Sequence, residues 1–429
     1  MSDPAASISV DRTARALYAL LDLSKALGSE VDLDALLSVI VEKASSVVEA
    51  ERSSIFVYDA GRDLLWSHHG QGITAIIEVP LGSGIAGDVA KTLRSANVAD
   101  AYADPRFNPE FDKRTGFRTR SIIAAPILDS GGKLLGVVQS VNKMTAPGFD
   151  AHDESLMSAI ASHVAVAMER ARLTASFMEH ERMSEALKLA SEIQMRMLPP
   201  GAMAIGTDAP FEVHAYIRPA RMVGGDLYDF AVNGDRLYFC IGDVSGKGIG
   251  SALVMALTKT LFRANVPYYD DAARLTEAVN IRLCEDTGPT IFVTAFCGFL
   301  DLRSGLLRFC NAGHDRPFVL RPDGSAQLLQ SKPGLALGVL PNFRYVLQEL
   351  VLQEGEALFL YTDGVTEATD RNEQLFSLER LQDALEQSAK ASALRLIAGV
   401  TESIEQFVEG APQSDDLTMM CVRYRGAEH

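Results

Sequence analysis

Apolar residues recur at helical spacing over 12–28, a run that stops at Gly28, and again over about 34–50. Short β-branched and aromatic runs follow at 53–58, 75–79, 121–128 and 133–141, with Gly and Asp between them. That pattern predicts a helix-flanked antiparallel sheet, a compact α+β module. From 153 to 197 there is neither glycine nor proline. Met183, Leu187, Ala190, Ile193 and Met197 step by three or four, the narrow seam of a coiled coil. A single helix here would run about 68 Å. The seam loses regularity near 173–179, which allows a break, and Pro199-Pro200 ends the run.

Beyond Pro200 the pattern turns to strands, at 211–218, 227–232, 236–242, 290–302, 306–311, 317–322, 326–329, 356–361 and 417–424. Asn233-Gly234, Arg303-Ser304-Gly305 and Asp323-Gly324 read as hairpin turns. Helices are expected at 250–264, 271–285, 377–389 and 391–409. Hairpins with segregated helices predict packed antiparallel sheets covered by helices, not a parallel doubly wound sheet.

A chain of 429 residues is long enough for two or three domains. Its 40 Lys+Arg against 56 Asp+Glu, a net −16, disfavours nucleic acid or an anionic membrane as main partner. Five cysteines without a C-x-x-C spacing read as reduced core thiols of a cytoplasmic protein. The N-terminus lacks a signal-peptide pattern, and no apolar run reaches the ~18 residues that span a bilayer.

The chemistry concentrates in four aspartates: Asp226 in G-G-D-L-Y-D, Asp243 in G-D-V-S-G-K-G, Asp363 in Y-T-D-G-V-T-E and Asp416 in S-D-D-L-T. Each abuts a predicted strand. Asp243 and Asp363 follow theirs and Asp226 and Asp416 precede theirs, so an antiparallel arrangement brings all four to one rim. A two-residue turn at Asn233-Gly234 would set Asp226 opposite Ile241, with Asp243 its diagonal neighbour on the same face. Crowded carboxylates repel unless a cation shares the site. Gly224-Gly225 and Gly246/Gly248 allow close backbone approach and let the Val244 carbonyl join. An all-oxygen donor set suits Mg²⁺ or Mn²⁺. The reading is a metal-dependent hydrolase of phosphate esters. His314 in N-A-G-H reads as a structural loop residue and Asp415 as a neighbour supporting Asp416.

The strings A-S-E-I-Q-M-R-M-L-P-P (190–200), P-A-R-M-V-G-G-D-L-Y-D (219–229), G-D-V-S-G-K-G-I-G-S-A-L (242–253), N-A-G-H (311–314), L-Y-T-D-G-V-T-E-A (360–368) and S-D-D-L-T (414–418) resemble the SpoIIE/RsbU-type branch of the PP2C (PPM) serine/threonine phosphatases. The resemblance implies an α-β-β-α sandwich over 199–429 and two Mg²⁺ or Mn²⁺ ions per site. It also implies in-line attack by metal-activated water, without a phosphoenzyme. Asp243 would bridge both metals, the Val244 carbonyl would help hold one, and Asp226, Asp363 and Asp416 would complete the site. Ser245 stands where the eukaryotic branch has a histidine, so that proton donor is missing. The implied substrate is a phosphorylated STAS-domain anti-anti-sigma protein in a partner-switching pathway.

Residues 13–172 resemble a GAF sensor domain through D-P-R-F-N (104–108), T-G-F-R-T-R-S-I-I-A-A-P (115–126) and Asn142, Lys143, Phe149, Asp153 and Glu154. Those last five fit the pattern of cyclic-nucleotide-type GAF domains, which makes a cyclic nucleotide the first ligand to test. The plainer reading, preferred here, is a Lys143–Asp153 salt bridge that clasps the sheet and needs no ligand. The 153–198 helix would link the two domains and pair in a homodimer. Two other functions stay open: a ligand-responsive module whose phosphatase-like domain does not turn over, and a phosphoesterase for small molecules.

Overall fold

A computed structural model describes residues 33–70, 77–203, 209–288 and 290–426. The helix expected over 12–28, and the start of the run expected over 75–79, lie outside the described residues. The chain divides into two compact units, Met1–Arg182 and Met183–His429.

In the first unit, helix α1 (Leu33–Val47) leads into β1 (Ala50–Asp59), β2 (Leu64–Gly70) and β3 (Ile77–Pro80). Helix α2 (Gly84–Thr92), β4 (Ala96–Val98), α3 (Glu110–Thr115), β5 (Ile122–Leu128) and β6 (Leu134–Lys143) follow. The six strands form one antiparallel sheet in the order β3-β2-β1-β6-β5-β4. Strand β5 shows how the sequence builds two cores. Ile123, Ala125 and Ile127 pack with α1 and Met157, Ile160 and Val164, while Ile122 and Ala124 pack with Val89 of α2 on the other face. β2, β4, α2 and α3 were not foreseen; they are short and lack a repeat long enough to register.

Helix α4 (Ala151–Met197) is 47 residues long and continuous through 173–179, so the allowed break does not occur. Glycine and proline are absent, and its helix-favouring residues keep it whole.

In the second unit β7 (Ala202–Met203), β8 (Phe211–Arg218), β9 (Leu227–Asn233) and β10 (Arg236–Val244) precede α5 (Ile249–Asn265) and α6 (Ala272–Asp286). Then come β11 (Val293–Asp301), β12 (Leu306–Ala312), β13 (Phe318–Leu320), β14 (Ala326–Leu328), β15 (Gln348–Val351) and β16 (Ala357–Tyr361). Helices α7 (Asp363–Thr366), α8 (Ser377–Ser388) and α9 (Ala393–Val408) and strand β17 (Leu417–Tyr424) complete it. One sheet runs β15-β12-β11-β10-β9 and the other β14-β13-β16-β17-β8-β7.

Alternation along the strands sets the layers. Leu237, Phe239 and Ile241 of β10 meet Leu358, Leu360, Met420 and Val422 of the opposing sheet in the central core. The intervening Tyr238 and Cys240 pack on Met255 and Phe262 of α5. Phe359, Tyr361, Met419 and Cys421 pack on Leu381 of α8 and Leu396 and Val400 of α9. The result is a four-layer α-β-β-α sandwich.

Candidate active site

The central rows of side chains end in acids. On β10 the inward row Leu237, Phe239, Ile241 continues to Asp243, and on β9 the row Phe230, Tyr228 continues to Asp226. On β17, Val422 and Met420 continue through Thr418 to Asp416; on β16, Leu360 continues to Thr362. The rows thus carry Asp226 and Asp243 from one sheet and Asp416 from the other to the same end of the sandwich, and Asp363, the first residue of the helix after β16, lies near enough to Asp243 to feel its charge.

The hairpin register departs from the expected one. Asn233 pairs with Arg236 and Leu227 with Gly242, so the turn residues are Gly234 and Asp235, with Gly234 at φ +61°. The pairing is shifted by two residues, one full side-chain period, so the face is unchanged. Asp226 stands directly across from Asp243, one step beyond the last ladder pair, and the charge of Asp243 acts on it.

Asp226 is buried, and its Oδ2 accepts from the Thr362 hydroxyl of the other sheet at 2.7 Å. Asp416 is also buried; Oδ1 accepts from Ala220 N–H at 2.8 Å and Oδ2 from Gly225 N–H at 2.7 Å. Burial, then the charge of Asp243, pushes Asp226 well above the usual carboxylate range. Burial raises Asp243, with Asp415, Asp416 and Asp315 adding to it. Burial and then Asp243 push Asp363 up to about 7. The site stores negative charge it cannot fully hold alone.

Glycines make the close packing feasible. A Cβ at Gly224 would collide with the Asp416 carboxylate and one at Gly364 with the Asp416 carbonyl; at Gly225 it would come 2.9 Å from the Val244 oxygen. No three His, Cys, Asp or Glu side chains among the described residues form a ready single-ion shell. The motif acids instead gather from both sheets, with the Val244 carbonyl close by Gly225. An all-oxygen set whose protonation burial favours, lodged in a glycine cradle, fits hard divalent cations that would replace those protons.

Asp415 accepts from Asp416 N–H at 2.9 Å and pairs with Lys247 at 2.7 Å. Lys247 also donates to the Ser414 carbonyl, tying the loop after Asp243 to the loop before Asp416. Ser245 is fastened to Phe292: its N–H donates to the Phe292 carbonyl at 2.9 Å, and its Oγ accepts from Phe292 N–H at 3.0 Å. His314 is buried, with Nδ1 3.0 Å from Thr294 Oγ1. Burial pulls it down to about 4, so it is neutral near pH 7.

Two contributors escaped the sequence reading. Asp315 lies close enough to raise both Asp243 and Asp363. Gln194, near the end of α4, brackets Gly224: Nε2 donates to its carbonyl at 2.7 Å, and Oε1 accepts its N–H at 3.1 Å. Gln194 sits inside the string A-S-E-I-Q-M-R-M-L-P-P, so the signal was present without its contact.

In the first unit Lys143 Nζ lies 3.1 Å from Asp153 and 3.0 Å from Glu49, and donates to the Val48 carbonyl at 3.0 Å. Asn142, at φ +61°, accepts from Arg120 N–H and donates to Glu51 and the Arg118 carbonyl. Phe149 packs in the core, and Asn97 joins its carbonyl to Glu154. None of these five lines the unit's large cavity of about 720 Å³, whose wall includes Arg52, Ser54, Phe56, Phe107, Phe117 and Gln139. They clasp the sheet.

A four-layer sandwich with acids at one end defines a PP2C-type fold. It is shared with the SiaA-PP2C domain of Pseudomonas aeruginosa, at TM-score 0.52 and 21% identity, over 57% of this chain and 98% of that one. Residues 233–425 match the family model of Stage II sporulation protein E (SpoIIE), and residues 32–168 match the GAF domain model. The chain thus carries a region that matches the GAF model followed by one that matches the SpoIIE model. It is 32% identical over 266 residues to Protein IcfG of Synechocystis, covering 55% of this chain and 41% of that protein. It is 31% identical over 187 residues to a dual 3′,5′-cyclic-AMP and -GMP phosphodiesterase 11A of Takifugu rubripes, covering 40% and 21%. The chain thus spans less than half the length of the curated relatives it matches.

Proposed function

We propose that this chain is a metal-dependent serine/threonine phosphoprotein phosphatase governed by its GAF domain. The observation that carries the reading is the gathering of acids from both sheets around Asp243 at one end of the sandwich. Asp226, Asp243, Asp363, Asp416 and the Val244 carbonyl would hold two Mg²⁺ or Mn²⁺ ions. Such ions supply a water acidified to near neutral pH and positive charge for the phosphoryl oxygens. The chain's residues fix the geometry for that chemistry. Thr362 orients Asp226 across the sheets, and the Ala220 and Gly225 amides hold both oxygens of Asp416. Ser245 stands where the eukaryotic branch has its histidine and His314 is buried, so solvent or another group would protonate the leaving group.

Regulation would run along α4, whose residue Gln194 holds the loop that carries Asp226. On the same helix Leu173, Phe177, Met183, Leu189 and Ile193 are exposed, a reason to propose pairing with a second copy. No helix among the described residues is long and apolar enough to cross a membrane. The substrate proposed is a phosphorylated STAS-domain anti-anti-sigma protein, with release of phosphate driving partner switching.

Turnover of p-nitrophenyl phosphate with Mn²⁺, abolished by chelator and by Asp243→Asn, tests the reaction. Absence of metal-dependent turnover, alone and with a phosphorylated STAS protein, would favour the non-catalytic module. Turnover of metabolites but of no phosphoprotein would favour a small-molecule phosphoesterase.

A further inference from the structure

Large apolar side chains stand in solvent along one side of the acid cluster. Ile249 and Leu253 in the first turns of α5 are 54% and 67% exposed, Phe292 before β11 is 44%, and Val339 and Leu340 are 50% and 51%. The backbone that presents them is firmly held. Phe292 is bonded through both backbone groups to Ser245, two residues after Asp243 and four before Ile249. Val293 and Leu337 exchange two backbone hydrogen bonds at 2.9 and 2.8 Å. Fully buried Asn280 accepts from Gly338 N–H at 2.9 Å and donates to the Leu340 carbonyl at 2.8 Å. A buried polar side chain and two tethered loops thus support apolar residues that stand exposed among the described residues. Solvent-exposed apolar groups gathered in this way mark interaction surfaces.

Two exposed arginines adjoin, in sequence, residues that touch the acid cluster. Arg221 follows Ala220, whose N–H holds Asp416, and Arg316 follows Asp315, which lies by Asp243 and Asp363. Both arginines are exposed and, among the described residues, neither has an ion pair, in a chain of net charge −16. Arginine without a carboxylate partner suits the oxygens of a phosphate monoester.

Resting on the phosphatase reading, we propose that Ile249, Leu253, Phe292, Val339 and Leu340 form the substrate-docking surface. They receive apolar side chains that flank a phosphoserine or phosphothreonine in a protein, while the phosphate is met by Arg221 and Arg316. A small phosphorylated metabolite has no flanking residues to cover this strip. The substrate class is therefore a phosphorylated segment within an apolar protein surface.

The test uses the full chain with Mn²⁺ and three substrates. These are a phosphoserine peptide with leucine and isoleucine on either side, the same peptide with serine and glycine there, and p-nitrophenyl phosphate. The expected result is a kcat/KM at least tenfold higher for the apolar peptide. Leu253→Ser combined with Leu340→Ser should erase that preference through KM. The variant's melting temperature and its rate on p-nitrophenyl phosphate should stay within error and within twofold. Equal kcat/KM for the two peptides, or a preference that survives in the folded variant, overturns the docking surface and leaves the phosphatase reading standing. Failure of all three substrates overturns the phosphatase reading beneath it.

Discussion

Gln194 holds Gly224 by both of its backbone hydrogen-bonding groups, and Gly224 in turn leaves the space filled by the Asp416 carboxylate. A helix side chain therefore sets the loop that carries Asp226. Gln194→Ala should raise the Mn²⁺ concentration for half-maximal activity about tenfold, with a smaller change in kcat at saturating metal. Loss of one buried bidentate contact of this kind is worth about 1–3 kcal/mol. A titration of p-nitrophenyl phosphate turnover against Mn²⁺ separates the two effects; an unchanged Mn²⁺ curve would show that the contact does not govern the site.

Asp243→Asn should cut turnover at least about a hundredfold, the scale of losing an electrostatic anchor in a preorganised site. The same change removes charge that Asp226 and Asp363 both feel, so the metal-free protein should become more stable. Urea unfolding in chelator measures this. A metal-free variant less stable than the parent would mean that the acids do not strain one another.

The pH dependence has a definite sign. Asp363 titrates near 7 in the fold, against about 3.9 unfolded. The folded state thus binds the extra proton between those values, and stability is lost as pH rises through about 7. Asp226 and Asp243 are shifted in the same direction. In chelator, the second unit should melt at a lower temperature at pH 7.5 than at pH 5.5. Added Mn²⁺ should recover more of the melting temperature at the higher pH. A flat metal-free profile across that window would contradict the crowding described for this site.

Lys143→Met leaves Asp153 buried without its ammonium partner, which typically costs about 3–5 kcal/mol. The first unit should unfold at lower denaturant while metal-dependent turnover of p-nitrophenyl phosphate persists. Protection of its amides from hydrogen exchange reports the first effect, and the aryl phosphate assay the second.

The long elements were legible because their periods are strong. The expected strands at 211–218 and 417–424 coincide with β8 and β17, and the helix over 153–197 is there in full. The acids' meeting at one rim followed from antiparallel geometry alone. The turn at Gly234-Asp235 was misplaced by one position, since Asn-Gly and Gly-Asp are both acceptable turn pairs, and only cross-strand packing selects between them. Asp315 and Gln194 were missed because their roles depend on what lies opposite them in space. Neither sits in a pattern whose residue types name a chemistry.

Asp226, Asp243 and Asp416 extend the same alternating rows that pack Phe239, Ile241 and Met420 between the sheets. A slip of one residue in β10 would exchange its two buried faces and swing Asp243 away from Asp226 in a single stroke. The gathering of these acids and correct strand alignment are thus one property, and the aryl phosphate assay proposed for this site would double as a readout of whether the sandwich has folded in register.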